Sequence, residues 1–284
     1  MGIFSIPSAA PLWLHGSMPT FATDDNVTLS YIDQGDGPVV LLIAGFCAPA
    51  TSWALQQDEL VDAGYRVLAL DRRGHGDSEA PEFGATMARH GRDVENFLTS
   101  LGIDDAILCG GSMGASTIWS YISQFGTSCV RAVVSVDQTP KMINDGEWQN
   151  GFYGLTEANK DAFFADGIPD TGRGLSKAKM MLGGVKLLMK LRSMPKMAKG
   201  DTPPMKALLH DHAVSDWRKV VAEAEVPILM VAGRESQFWP FAHSIVDNPL
   251  AQSVVLDKCG HAANMDRPKE FNAALLGFLR SLPQ

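Results

Sequence analysis

At 284 residues, 45% of them apolar and 20% charged, the chain can bury a large core, which excludes a disordered or fibrous protein and suits one large α/β domain. Its net charge of -8 argues against nucleic acid, whose phosphates reward basic surfaces. The four cysteines, Cys47, Cys109, Cys129 and Cys259, show neither close pairing nor C-x-x-C spacing, so no disulfide framework or zinc site is expected, and reduced thiols suit a cytoplasmic protein.

The first 19 residues are apolar but carry two early prolines and no basic residue, a poor match to a signal peptide. No apolar run reaches the roughly 18 residues that span a bilayer. Strand-like and helix-like segments then alternate, which predicts a mostly parallel twisted sheet with helices on both faces. Asp24-Asp25-Asn26 is a turn cluster between Met18–Thr23 and Val27–Asp33, so these two pieces should form a hairpin. Val39–Ile43, Arg66–Leu70, Ala106–Cys109, Ala132–Val136, Ile228–Val231 and Ser253–Leu256 are apolar runs of the kind buried on both faces of a parallel sheet. Helical patterns fit Trp53–Ala63, Met87–Leu101, Ser116–Phe125 and Lys269–Leu282. Pro268 stands where the last helix begins and its missing N–H is no loss. The stretch from Thr139 to about Glu225 breaks the alternation and is too long for a simple βα connection. It reads as a helical cap, residues 140–225, inserted into a core of residues 1–139 and 226–284, with Pro203-Pro204 at a bend.

Gly110-Gly111-Ser112-Met113-Gly114 directly follows one of these strands and precedes a helix. In that context G-x-S-x-G is a sharp turn that lifts the serine hydroxyl above the sheet at the positive end of a helix. A serine needs a base. Of seven histidines, His261 is best placed, in the short loop after the last strand, on the edge where parallel sheets bind ligands. An anionic intermediate needs amide donors. Met113 N–H and Phe46 N–H, with Cys47 as the alternative to Phe46, fit that need, and Gly45 allows the tight turn before them.

Together these features resemble the α/β-hydrolase superfamily from about Thr20 to Leu282. Asp71-Arg72-Arg73-Gly74-His75-Gly76-Asp77-Ser78 is similar to that family's D-x-R-G-x-G-x-S segment, and the order serine first, histidine last matches its triad. The oxyanion loop departs from the family's His-Gly start and reads Ala44-Gly45. The resemblance implies an acid about three residues after Gly233, but Ser236 stands there and Glu235 is one residue early. The superfamily's other acid position, after the sixth strand, holds Asp137. Asp137 is therefore the favoured acid and Glu235 the alternative; either could instead be a turn or loop carboxylate.

The resemblance implies a serine hydrolase that cleaves a carboxylic ester or lactone through an acyl-enzyme on Ser112, with no metal or organic cofactor. The expected partner is a small apolar ester or lactone; a homodimer is compatible with the sequence. Carbon–carbon bond hydrolysis and perhydrolysis use the same triad. A non-catalytic ligand-binding protein on the same fold is the alternative of another class. Phe238 and Trp239, with Gly45 and Cys47, are candidates for the pocket lining. From Arg173 to Lys199 the cap carries eight basic residues, no acid and interleaved Met, Leu and Val. This pattern suits either a basic amphipathic face for a membrane surface or anionic substrates, or a helix with its apolar side on the core and a solvated basic side; the last is the expectation.

Overall fold

The computed structural model describes residues 18–191 and 194–283, so the N-terminal segment and Arg192 lie outside it. Eight strands, β1 (Thr20–Ala22), β2 (Thr28–Gln34), β3 (Val39–Ile43), β4 (Arg66–Leu70), β5 (Ala106–Gly111), β6 (Val130–Val136), β7 (Ile228–Gly233) and β8 (Ala251–Leu256), form one sheet. Its order is β1-β2-β4-β3-β5-β6-β7-β8. The hairpin expected around Asp24-Asp25-Asn26 is present, with Asn26 at φ 60°, and β2 also pairs antiparallel to β4. Every other pairing is parallel. The chain steps one way from β3 to β4, then crosses back past β3 to β5 and continues the other way. The switch point, where such sheets open a crevice beyond their carboxyl ends, therefore lies between β3 and β5.

Helices α1 (Ala54–Asp62), α2 (Met87–Ser100), α3 (Met113–Phe125), α4 (Lys177–Leu191), α5 (Pro203–Val214), α6 (Arg218–Glu223), α7 (Ala263–Asp266) and α8 (Pro268–Ser281) follow in chain order. They cover both sheet faces, as the continuous apolar strands require. On one face Val94, Phe97, Ile118 and Val221, from α2, α3 and α6, pack on Leu41, Leu108 and Val133. On the other, Leu60, Phe271, Leu275 and Phe278, from α1 and α8, pack on Val40, Val134 and Leu229. Both clusters are essentially dry, so their apolar area supplies most of the fold's stabilisation at about 25 cal/mol per Å².

Four expectations need correction. Helix α3 begins at Met113, not at Ser116, because the turn leads from Ser112 straight into the first helical residue. The inserted stretch is not helical throughout: residues 137–176 are turns and isolated bridges, rich in Gly, Asn and Asp, and helices begin only at Lys177. Pro203-Pro204 opens α5 instead of bending a helix, since the first turn needs no amide donors there. Finally, α4 does not put its apolar side on the core. Leu187 and Leu191 face inward, while Met181, Leu182, Val185, Leu188 and Met189 are exposed.

Candidate active site

Ser112 connects β5 to α3 with φ 52° and ψ -129°, a conformation that L-residues with a Cβ rarely adopt. Hydrogen bonds over-determine it: Ser112 N–H donates to Val136 O (2.8 Å), and Ala115 N–H donates to Ser112 O (2.8 Å). The flanking glycines follow from crowding. A Cβ on Gly110 would lie 2.5 Å from Ala115 N, and one on Gly114 only 2.1 Å from Ile43 O. Helix α3 can thus seat its first turn on the end of β3 only with glycine at position 114. Gly45 closes the other side; a Cβ there would meet Ser112 Cβ at 3.0 Å and Gly111 O at 3.2 Å.

Asp137 directly follows β6 and is fully buried. Its own φ is 44°, in the left-handed region, where aspartate is better tolerated than most residues, and its N–H donates to Val231 O at 2.7 Å. Its carboxylate accepts from His261 Nδ1 (2.8 Å), Ser236 Oγ (2.7 Å) and, at 3.4 Å, Gly233 N–H. A carboxylate on Nδ1 makes that nitrogen the donor and leaves Nε2 as the free base. Ser236, standing where an acid was expected, thus donates its hydroxyl to Asp137, just past the end of the neighbouring strand. Glu235 is directed elsewhere. Its carboxylate accepts from Cys259 N–H (3.0 Å), and its N–H donates to Cys259 O (2.9 Å), bracing the loop that carries His261. Asp266 holds the same loop through Gly260 N–H at 2.9 Å. The imidazole of His261 is packed edge-on against Phe238 and Trp239, with ring centroids 4.5 and 5.2 Å away.

The loop after β3 is held by Arg72, which sequence reasoning left in a motif without a role. Its fully buried guanidinium donates to Ala44 O (3.1 Å) and Gly45 O (2.8 Å). It also meets His90 Nδ1 (3.1 Å) and His75 Nε2 (3.0 Å). Among the described residues no carboxylate touches it, and burial pushes its pKa down to about 9. Burial, reinforced by the Arg72 charge, holds both histidines well below their usual range, so they are neutral acceptors. The only signal for this role was an arginine inside an otherwise turn-like motif.

Ser112 and His261 line one cavity of about 310 Å³ with Gly45, Phe46, Trp53, Ile168, Met197 and Phe238. A smaller chamber of about 30 Å³ adjoins Ser112 and Met113, walled by Phe152, Phe164, Leu209, His212, Phe238 and Trp239. Burial lowers His212 to about 3, and neither its Nδ1 nor Trp239 Nε1 has a hydrogen-bond partner among the described residues. Of the four candidate lining residues, Gly45, Phe238 and Trp239 stand in these walls. Cys47 does not: at φ 62° its thiol lies against Gly200, and its carbonyl accepts from Ala198 N–H. As the first helical residue, Met113 carries an amide with no partner one turn earlier in the helix. Among the described residues no cluster of three His, Cys, Asp or Glu could hold a metal ion.

Residues 38–268 match the model of the alpha/beta hydrolase fold family, and the chain belongs to that family. A non-heme chloroperoxidase of Kitasatospora aureofaciens is 29% identical over 278 residues, covering 92% of this chain and 99% of its own. Among solved structures, an esterase from Exiguobacterium antarcticum superposes with a TM-score of 0.74 at 21% identity, over 92% of this chain and 99% of its own. The enol-lactonase from Burkholderia xenovorans LB400 gives 0.73 at 22% identity, over 93% and 100%. The protein is thus an alpha/beta hydrolase; none of its described helices is long and apolar enough to cross a membrane.

Proposed function

We propose that the protein hydrolyses small carboxylic esters or lactones through an acyl-enzyme on Ser112. The observation that carries this reading is the 2.8 Å bond between His261 Nδ1 and the buried Asp137, in a cavity that also holds the strained Ser112. His261 Nε2 takes the Ser112 proton as Oγ attacks the carbonyl, then gives it to the leaving alkoxide. Asp137 fixes the tautomer and stabilises the imidazolium. The Phe46 and Met113 amides receive the oxyanion, where preorganised donors lower the barrier most. Water, deprotonated by His261, then releases the acid. Residues 140–225 act as the cap, and the aromatic chamber beside Ser112 suits a short acyl group. Serine at position 112 disfavours the alkyl-enzyme chemistries that this fold runs from an aspartate there.

The experiment is turnover of p-nitrophenyl acetate together with mass-detected labelling of Ser112 by a serine-directed phosphonate. Turnover that disappears in Ser112→Ala, with label on Ser112, is the expected result. Neither turnover nor label would leave a non-catalytic ligand-binding protein as the better reading. A second reading, perhydrolysis, is favoured by the haloperoxidase name of the 29% identical relative. Hydrogen peroxide would replace water in deacylation and leave as a peracid. Peracid formation from acetate and peroxide, scored against ester hydrolysis, separates the two; carbon–carbon substrates belong in the same screen.

A further inference from the structure

Helix α4 turns an apolar stripe to the outside. Met181, Leu182, Val185 and Met189 are 68, 61, 45 and 74% exposed, and their spacing places them on one side of the helix. Leu187 and Leu191, on the opposite side, are buried beside Ala54. Lys179 and Lys186, seven residues apart, form a flank along the stripe. Two exposed methionines, Met194 and Met197, follow in the chain. Exposed apolar surface of this kind marks an interaction site.

The charges around it are one-sided. The 27 residues from Arg173 to Lys199 hold eight basic residues and no acid; the rest of the chain holds the other 16 basic residues and all 32 acids. Lys190 and Lys196 are spent on Asp58 and Asp77 of the core. Among the described residues Arg173, Lys179, Lys186 and Lys199 form no salt bridge; Arg173 lies over the Tyr153 ring, and Lys186 donates to the Asp266 carbonyl within electrostatic reach of the Asp266 and Glu270 carboxylates. The surface that would cover α4 must therefore be apolar and negatively charged.

We propose that α4 docks the protein onto an anionic lipid surface, its methionine and leucine side chains at the acyl boundary and its lysines among the headgroups. The acidic remainder of the chain is repelled by the same surface and turned to water, which sets the orientation. A second copy fits less well, because an isologous contact through α4 would bring the same lysine flanks together. Met197 and Ile168, both exposed, also belong to the wall of the Ser112 cavity. A substrate dissolved in the lipid would thus meet the cavity mouth without first crossing water.

The test is co-sedimentation of the full chain with vesicles of phosphatidylcholine alone or mixed equally with phosphatidylglycerol, which reads binding and not turnover. The bound fraction is expected to be at least tenfold higher on the anionic vesicles and to collapse as salt rises from about 50 mM to about 500 mM. Leu182→Glu/Met189→Glu should abolish binding and Lys179→Glu should weaken it, with far-ultraviolet circular dichroism and melting unchanged. Wild-type binding by the double variant, or no preference for anionic vesicles, overturns the proposal. A wild-type dimer in sedimentation velocity that the double variant converts to monomer also overturns it, by assigning the stripe to a second copy.

Discussion

Asp137 combines three features that carboxylates rarely share: complete burial, a left-handed backbone and three hydrogen-bond donors. The arrangement fits a group that must be fixed in place. Asp137→Asn should therefore lower kcat on p-nitrophenyl acetate by about 10⁴-fold, the loss seen when a triad acid is neutralised. Glu235→Gln should leave kcat within a few-fold of wild type and cost about 1 kcal/mol of stability, the worth of its bond to Cys259 N–H. The opposite ranking in parallel kinetic assays would assign the acid to Glu235. Gly114→Ala makes a separate prediction. Its Cβ would be driven to 2.1 Å from Ile43 O, so α3 must move off β3, and the soluble yield and melting temperature should fall sharply.

Among the connecting elements, the loop after β3 depends on Arg72 for its shape. Two of its carbonyls, Ala44 and Gly45, find their donors in one buried guanidinium. Arg72→Met would keep the apolar stem but leave the Ala44 carbonyl unpaired and the Gly45 carbonyl with only its 3.3 Å bond from Ala48 N–H. The expected cost is on the order of 3 kcal/mol, since hydrogen bonds to charged groups contribute roughly 1.5–3 kcal/mol each. Thermal melting should show it as a fall of roughly 5 °C. If Phe46 N–H receives the oxyanion, kcat should drop further than Ser112 phosphonylation at saturation. Lysine should not rescue the loop, because a point charge cannot reproduce the planar fork that reaches both carbonyls.

Over the whole molecule, His75, His90 and His212 are buried neutral, and burial sets all three below the usual histidine range. The unfolded chain binds protons on them below about pH 6.5, whereas the folded chain does not. A histidine whose folded value is lowered therefore favours unfolding as pH falls. Each can remove up to about 1.4 kcal/mol per pH unit below 6.5, until the folded value is reached. Melting temperature should drop between about pH 7 and about pH 5, and the drop should be shallower in His212→Gln, whose replacement does not titrate. Equal slopes in the two proteins would mean that His212 is hydrated in the fold.

Much of this molecule is legible along the chain. Apolar runs bounded by turn residues located the parallel strands to within two residues at each end, because a strand buried on both faces tolerates little else. G-x-S-x-G after such a strand placed Ser112, and a loop histidine after the last strand placed His261, since both follow from local turn geometry and chain order. The pairing of Asp137 with His261 could be ranked over Glu235 but not shown, because residues 124 apart meet only through the order of β6, β7 and β8. The roles of Ser236 and Arg72 were invisible for the same reason: a hydroxyl or guanidinium has no local signature until its acceptors arrive from other strands. Periodicity likewise revealed that α4 has an apolar side but not which way it faces. A helix has many rotational settings with the same sequence pattern, and only packing against α1 and α7 chose the one that leaves the stripe outside. The sequence by itself determined the strands, the elbow serine and the place of the loop histidine, which depend on near neighbours. Tertiary structure alone decided the carboxylate that His261 meets, the support of the loop after β3 and the outward stripe, which depend on distant parts of the chain brought into contact.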